Sequence, residues 1–277
     1  MPIQYRFLRG PATAILALIT LSSLPNAAQA GAWTAQEDTF YNKLSFNYFS
    51  SDKSFGGNVP GQARFTDANI TYYVEYGITD SLTFFGSVPY KGLTVKYPTG
   101  KVENGGIGDV DLGLRYQLVK QGSLVVSTSL LFKAPYLYSR KETIPFGNRQ
   151  EDVESRLLLG YGLGRYGYLG AEVAYRYRAK APADEFRYLL EYGFNATDEL
   201  YLRAKFDGNV SQGNSKAPRG NIANPNLNLA FDLTKLELTT GWKIDKSNAI
   251  EFSATPNTSG RNTLKGTNYS VAWVFSN

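Results

Sequence analysis

Apolar and polar side chains alternate residue by residue along most of this chain. In GITDSLTFFGSVPY, residues 77–90, Leu82, Phe84, Val88 and Tyr90 stand on one parity, and Thr83, Phe85 and Ser87 on the other. Successive side chains of a strand point to opposite faces, so this spacing predicts a strand with one greasy face. Such a face must meet either a protein core or lipid.

Composition decides between them. Residues 1–30 have the parts of a cleaved export signal: Arg6 and Arg9, the apolar run ATAILALITLSSL, and Ala28-Gln29-Ala30 before a cut at Gly31. No later apolar run approaches the twenty residues of a spanning helix. The chain holds no cysteine, which excludes a small disulfide-stapled domain. It holds no histidine either, which removes Ser-His-Asp catalysis, imidazole metal ligands and histidine acid/base chemistry. The formal charge of +5 falls to +3 without Arg6 and Arg9, too little to suggest a nucleic-acid partner. An exported chain rich in Tyr, Phe and Gly, with no spanning helix, predicts an all-β, closed antiparallel barrel in the bacterial outer membrane. Residues 31–277 then form one barrel domain.

The alternation recurs along the chain. Leu44, Phe46 and Tyr48 begin it; Ile70, Tyr72 and Val74 follow, then Leu112, Leu114 and Tyr116. Later sets include Leu124, Val126 and Leu130; Val153, Leu157 and Leu159; Leu169, Val173 and Tyr175; Phe186, Tyr188 and Leu190; and Leu200, Leu202 and Phe206. The last three segments are 227–244, 250–254 and 269–275. Short connections (78–81, 119–122, 164–167, 195–198, 245–248) alternate with longer ones (51–61, 91–105, 137–150, 211–225, 257–266), and 181–184 is a short member of the second set. That asymmetry predicts periplasmic turns at one end and extracellular loops at the other. The count is twelve strands, with fourteen as the alternative. Apolar parity changes between Leu233 and Leu236, read as a β-bulge inside one long strand. Even residues of 82–90 should face lipid. Tyr76, Tyr90, Tyr116, Tyr136, Tyr161, Tyr192, Trp242 and Trp273 should form the interfacial belt.

The opposite face carries the charges. Counting outward from the short turns places Asp109 opposite Lys133, Asp152 opposite Arg178, Glu154 opposite Arg176, Glu191 opposite Arg203 and Arg187 opposite Asp207. With Asp111 and Arg115 these are the pore-lining candidates. They suit either a charged constriction that screens solutes or a salt-bridge lattice that fills a narrow lumen. Asp109 and Asp111 share a face, but Arg115 and Lys133 beside them favour neutralised wall charges over a metal site. Gly105-Gly106-Ile107-Gly108 lacks the helix and the Lys-Ser/Thr pair of a phosphate loop. No cofactor, metal or catalytic residue is expected.

The stretches YYVEYGITDSLTFFGSVPY and GGIGDVDLGLRYQLV carry a family resemblance, best over residues 70–132. The chain there resembles the outer-membrane barrel family linked to the meta-pathway of phenol degradation, with its YGITD-L turn and G-GD--LG-KY-L strand. The resemblance implies an outer-membrane channel for hydrophobic or aromatic compounds and transfers no binding residue. Barrels of this type end on an aromatic residue, whereas here Phe275 precedes Ser276 and Asn277. The expected function is passive passage of small solutes; the alternative is a non-conducting structural or partner-binding barrel. Expected partners are outer-membrane lipid, lipopolysaccharide, a small solute and the barrel-assembly machinery. Tyr73, Phe85 and Tyr201 form either a greasy track in the lumen or ordinary packing.

Overall fold

The computed structural model describes residues 31–139, 141–142, 144–147, 149–214, 224–225 and 228–277. The export signal at 1–30 lies outside them, as do Leu227 and most of 211–225. The described residues form twelve wall strands: β1 Phe40–Ser51, β2 Arg64–Thr79, β3 Leu82–Tyr97, β4 in two pieces (Gly100–Ile107 and Val110–Gln121), β5 Leu124–Ala134 and β6 Asp152–Gly162. The second half is β7 Tyr168–Arg178, β8 Glu185–Asn195, β9 Leu200–Ser211, β10 Asp232–Lys243, β11 Asn248–Arg261 and β12 Thr267–Ser276. Each strand pairs antiparallel with the next, and β12 pairs with β1, Tyr41 opposite Ser276. The sheet is a closed barrel, so within the wall no edge is left to seek partners in lipid.

Burial is inverted relative to a water-soluble protein. Leu114, Leu130, Leu159 and Val173 are exposed on the outer surface, whereas Thr83, Ser127, Glu154 and Glu251 are at most 1% exposed inside. The period-two pattern produces this directly, because apolar positions share one face of every strand. All eight aromatic residues expected in the belt are exposed. Tyr48, Tyr177 and Tyr269 extend the belt at the long-loop end.

Both ends of the wall lie beside the short turns, the side that faces the periplasm in outer-membrane barrels. Three features differ from expectation. Residues 91–105 are not a loop: β3 and β4 stay paired from Tyr90–Ile107 to Tyr97–Gly100, so this connection is a projecting β-hairpin. The parity change near Leu233 is not an extra residue in β10. The register shifts between Thr234 and Lys235, but the unpaired residue is Thr258 on β11, and Leu233 keeps the parity of inward Thr239. Two further shifts leave Ile78 and Leu118 unpaired. Fourteen strands are not formed.

Candidate functional site

The lumen gathers the charged residues into two networks. On the wall from β4 to β8, Lys133 lies 2.8 Å from Asp152 and 3.3 Å from Asp109. Arg178 faces Asp152 and donates to Glu185 at 2.9 Å. Arg176 faces Glu154 and donates to it at 2.8 Å. Arg187 reaches the same Glu154 oxygen at 3.2 Å, and Arg156 ties Glu154 to Glu172. Glu154 therefore takes three guanidinium groups while almost fully buried. This satisfies its charge where water does not reach it.

The second network spans β1 and β9 to β11. Arg203 donates to both oxygens of Glu251, at 3.1 and 3.2 Å, and to Glu237 at 3.3 Å. Lys43 also pairs with Glu251, and Tyr201 donates to it at 2.8 Å. Lys205 pairs with Glu237 and Lys235 with Asp207. Across the lumen, Arg115 lies 2.6 Å from Glu75, its guanidinium 5.9 Å from the centre of the Phe85 ring. Neutral polar groups are interleaved with the charges: Asn47 donates to Asn69, beside the Lys91–Asp67 pair, and Thr239 meets Ser253.

The structure keeps two of the five expected pairings in register, Asp152 with Arg178 and Glu154 with Arg176. The other three shift by two residues. Asp111, not Asp109, stands opposite Lys133, because the turn is only residues 122–123 and Leu118 is bulged out. Asp111 Oδ1 is buried with no hydrogen-bond donor among the described residues. Lys205, not Arg203, faces Glu191, and Asn209, not Asp207, faces Arg187, because the four-residue turn lies further along the chain, at 196–199 rather than 195–198. Glu191 instead accepts from the Tyr168 hydroxyl at 2.5 Å. Glu251, Glu237, Glu75 and Lys43 were missing from the candidates. The alternation held their signal: Glu251 sits between Ala249 and Ser253 on the inward parity.

Both ends of the lumen are occupied. At the long-loop end Phe65, Leu93 and Val95 pack with Tyr138, Ile144 and Phe146 from the 135–151 connection. At the short-turn end residues 31–39 enter the barrel, with Gln36, Glu37 and Asp38 exposed at the rim and 31–35 inside. Ala32 packs on Val125 and Leu158. The Ala32 carbonyl accepts from Ser127, the Gly31 carbonyl from Arg115, and Ala35 N–H donates to Thr83. Beside this segment a cavity of about 490 Å³ remains, bordered by Lys43, Tyr73, Glu75, Arg115, Glu191 and Lys205. Of the three lumen aromatics, Tyr73 borders the cavity, Tyr201 is buried against Glu251, and Phe85 lies over Gly113.

A closed wall, apolar outside and polar within, defines an outer-membrane β-barrel. Solved structures share this fold. An outer membrane channel of Pseudomonas putida F1, described as COG4313, aligns with a TM-score of 0.71 at 12% identity over 91% of this chain and all of its own. The NanC porin aligns at 0.55 with 10% identity, over 84% of this chain and 98% of its own. The KdgM porin aligns at 0.51 with 6% identity over the same shares. No family model matches the chain, and no curated protein does.

Proposed function

We propose that this chain is an outer-membrane channel for passive passage of small solutes, with hydrophobic or aromatic compounds as the solute class. The observation that carries the reading is the polar-lined cavity inside a closed, lipid-facing wall. Its volume suits a small molecule. Tyr41, Tyr73 and Trp33 border it, offering ring faces beside Arg115 and Lys43. The description of the Pseudomonas putida protein as a channel supports passage, and the resemblance to the phenol-degradation family supports the aromatic class. Asp111, Arg115, Arg187 and Glu191 are the residues we assign to the passage, with Asp109, Lys133, Glu154, Arg176, Arg178, Arg203 and Asp207 holding its wall. Lipopolysaccharide around the long loops and the barrel-assembly machinery complete the partners. Purified protein in a planar bilayer should give discrete conductance steps, and vesicles carrying it should admit benzenesulfonate, an aromatic anion that does not cross lipid, faster than protein-free vesicles do. The absence of both, with the folded gel band intact, would sink the reading.

A second reading, a non-conducting barrel that binds a partner, is favoured by the apolar cluster across the long-loop end. It requires a silent bilayer recording and a partner held by the loops.

A further inference from the structure

Residues 31–39 show no strand period, yet their bonds climb the inner wall. Asp38 N–H donates to the Gly77 carbonyl, Glu37 N–H to Asp80, and the Thr34 hydroxyl to the Asp80 carbonyl. Ala35 follows on Thr83, Ala32 on Ser127 and Gly31 on Arg115. The Trp33 ring lies over Gly160, where a Cβ would come within 2.5 Å of it, and stands edge-on to Tyr168 at 5.8 Å. The wall is therefore shaped to receive this segment, with a glycine where the largest side chain rests. At the inner end, one oxygen of Glu172 pairs with Arg156. The other, Oε1, lies 2.6 Å from where a side chain on Gly31 would begin. Glu172 is itself nine-tenths buried.

We propose that Glu172 is a binding site for the α-ammonium group that cleavage before Gly31 creates, and that this ion pair locks residues 31–39 in the lumen as a plug. Before cleavage Gly31 contributes a neutral amide beside Glu172, whose charge then has Arg156 as its one ion-pair partner among the described residues. Cleavage supplies a cation at that place, and a buried carboxylate with a new partner holds it far better than water-exposed groups do. Processing and plugging are thus one event: the uncut chain lacks the charge that seats the segment. Glycine is the residue that lets the carboxylate approach.

The socket can be read without conduction, so its failure is separate from failure of the channel reading. The mature protein in lipid vesicles is treated near pH 7 with a small acylating reagent, and the N-terminal peptide is quantified by mass spectrometry. An ammonium held by a carboxylate keeps its proton, and each unit by which its titration is raised slows labelling about tenfold. The folded protein should label at least about tenfold more slowly than the urea-unfolded chain, and Glu172→Gln should remove that protection. Asp232→Asn, at the long-loop end where Asp232 pairs with Arg261, should not. Should Glu172→Gln fail to assemble, inserting two alanines between Ala30 and Gly31 moves the ammonium without touching the wall, and should label fast. Deleting residues 31–36 should raise single-channel conductance. Equal labelling of the parent and Glu172→Gln, equal labelling of the parent and the two-alanine insertion, or a mature terminus other than Gly31, would overturn the proposal.

Discussion

Arg203 and Arg187 look alike in the sequence, and the structure separates them. Arg203 is buried and joins Glu251 to Glu237. Removing it leaves the two carboxylates with Lys43 and Lys205 as their remaining cations among the described residues, so Arg203→Gln should cost about 3 kcal/mol, as loss of a buried partner does. Arg187 is nearly one-third exposed, and Glu154 keeps Arg156 and Arg176 without it. Arg187→Gln should cost under about 1 kcal/mol, in the range of exposed pairs. The heat-modifiable gel shift, titrated with urea, measures both: Arg203→Gln should lose its folded band at lower urea. Reversal potential in a salt gradient should move towards cations for Arg187→Gln alone, most at low salt, where screening is weak. Equal behaviour of the two variants would mean that the networks do not divide the work as described. Gly160 makes a second residue-scale test. Valine there would occupy the space of the Trp33 ring, so Gly160→Val should shift Trp33 fluorescence to the red as the ring enters water, with the barrel band retained. Trp242 and Trp273 on the lipid face should not respond.

At the scale of the element, the strands and their facing were legible, because one alternating pattern serves both. Leu159 illustrates it: the parity that put it outside is the parity the structure shows. Leu159→Arg should impair insertion, since arginine at mid-membrane depth costs on the order of 2–4 kcal/mol, whereas inward Gln117→Arg should assemble. A normal folded yield for Leu159→Arg would contradict the facing. Registers were not legible to the same degree. A two-residue turn at 122–123 and a four-residue turn at 196–199 fit similar sequences, and a bulge such as Leu118 leaves the apolar face intact while moving every partner. The β3–β4 hairpin was hidden for a related reason. Its Gly and Lys residues read as loop, yet Gly92 pairs with Gly105 and Lys91 with Gly106 in a regular ladder. Protease added to intact cells should therefore act first at the tip, residues 98–99, and spare the paired legs. The turn at 244–247 carries a pH expectation. Asp245 accepts from Ser247 N–H and from Asn248, which hold its carboxyl below the usual carboxylate range. A depressed group stabilises above the unfolded value near 4 and ceases to as pH falls through the folded value. Amide-exchange protection at Ser247 and Asn248, taken relative to the intrinsic rate at each pH, should fall on acidification below about pH 4 and hold as the pH is raised.

On the scale of the whole molecule, the sequence dictated a container and said little about its contents. Enclosure follows from lipid: every wall amide needs a partner, and twelve strands supply them only by closing. The plug at 31–39 and the cap of Tyr138, Ile144 and Phe146 were illegible, because neither follows a period and each is held by side chains far away in sequence. On the proposed channel function they also set an expectation for the intact barrel: small conductance that rises when either end is cleared. Truncating the cap by Ile144→Ala with Phe146→Ala should enlarge the conductance step; an unchanged step would place the narrowest point elsewhere.

The seam between β12 and β1 has a consequence for how the molecule is made. The backbone N–H of Phe40 donates to the side chain of Asn277, a contact across 237 positions of chain. Every other ladder of the wall joins strands adjacent in sequence, so eleven hairpin pairings can form in any order as their strands become available. This one cannot form until the final residues have been synthesised and delivered. Until then both margins of the sheet are open and ready to add a strand from any neighbour. A chain that lacks β12 is thus not a slightly weakened barrel but a sheet with two sticky margins, because the seam is the whole ladder from Tyr41–Ser276 to Phe49–Asn268. The Phe40–Asn277 bond extends that seam one step beyond its outermost ladder pair, Tyr41–Ser276.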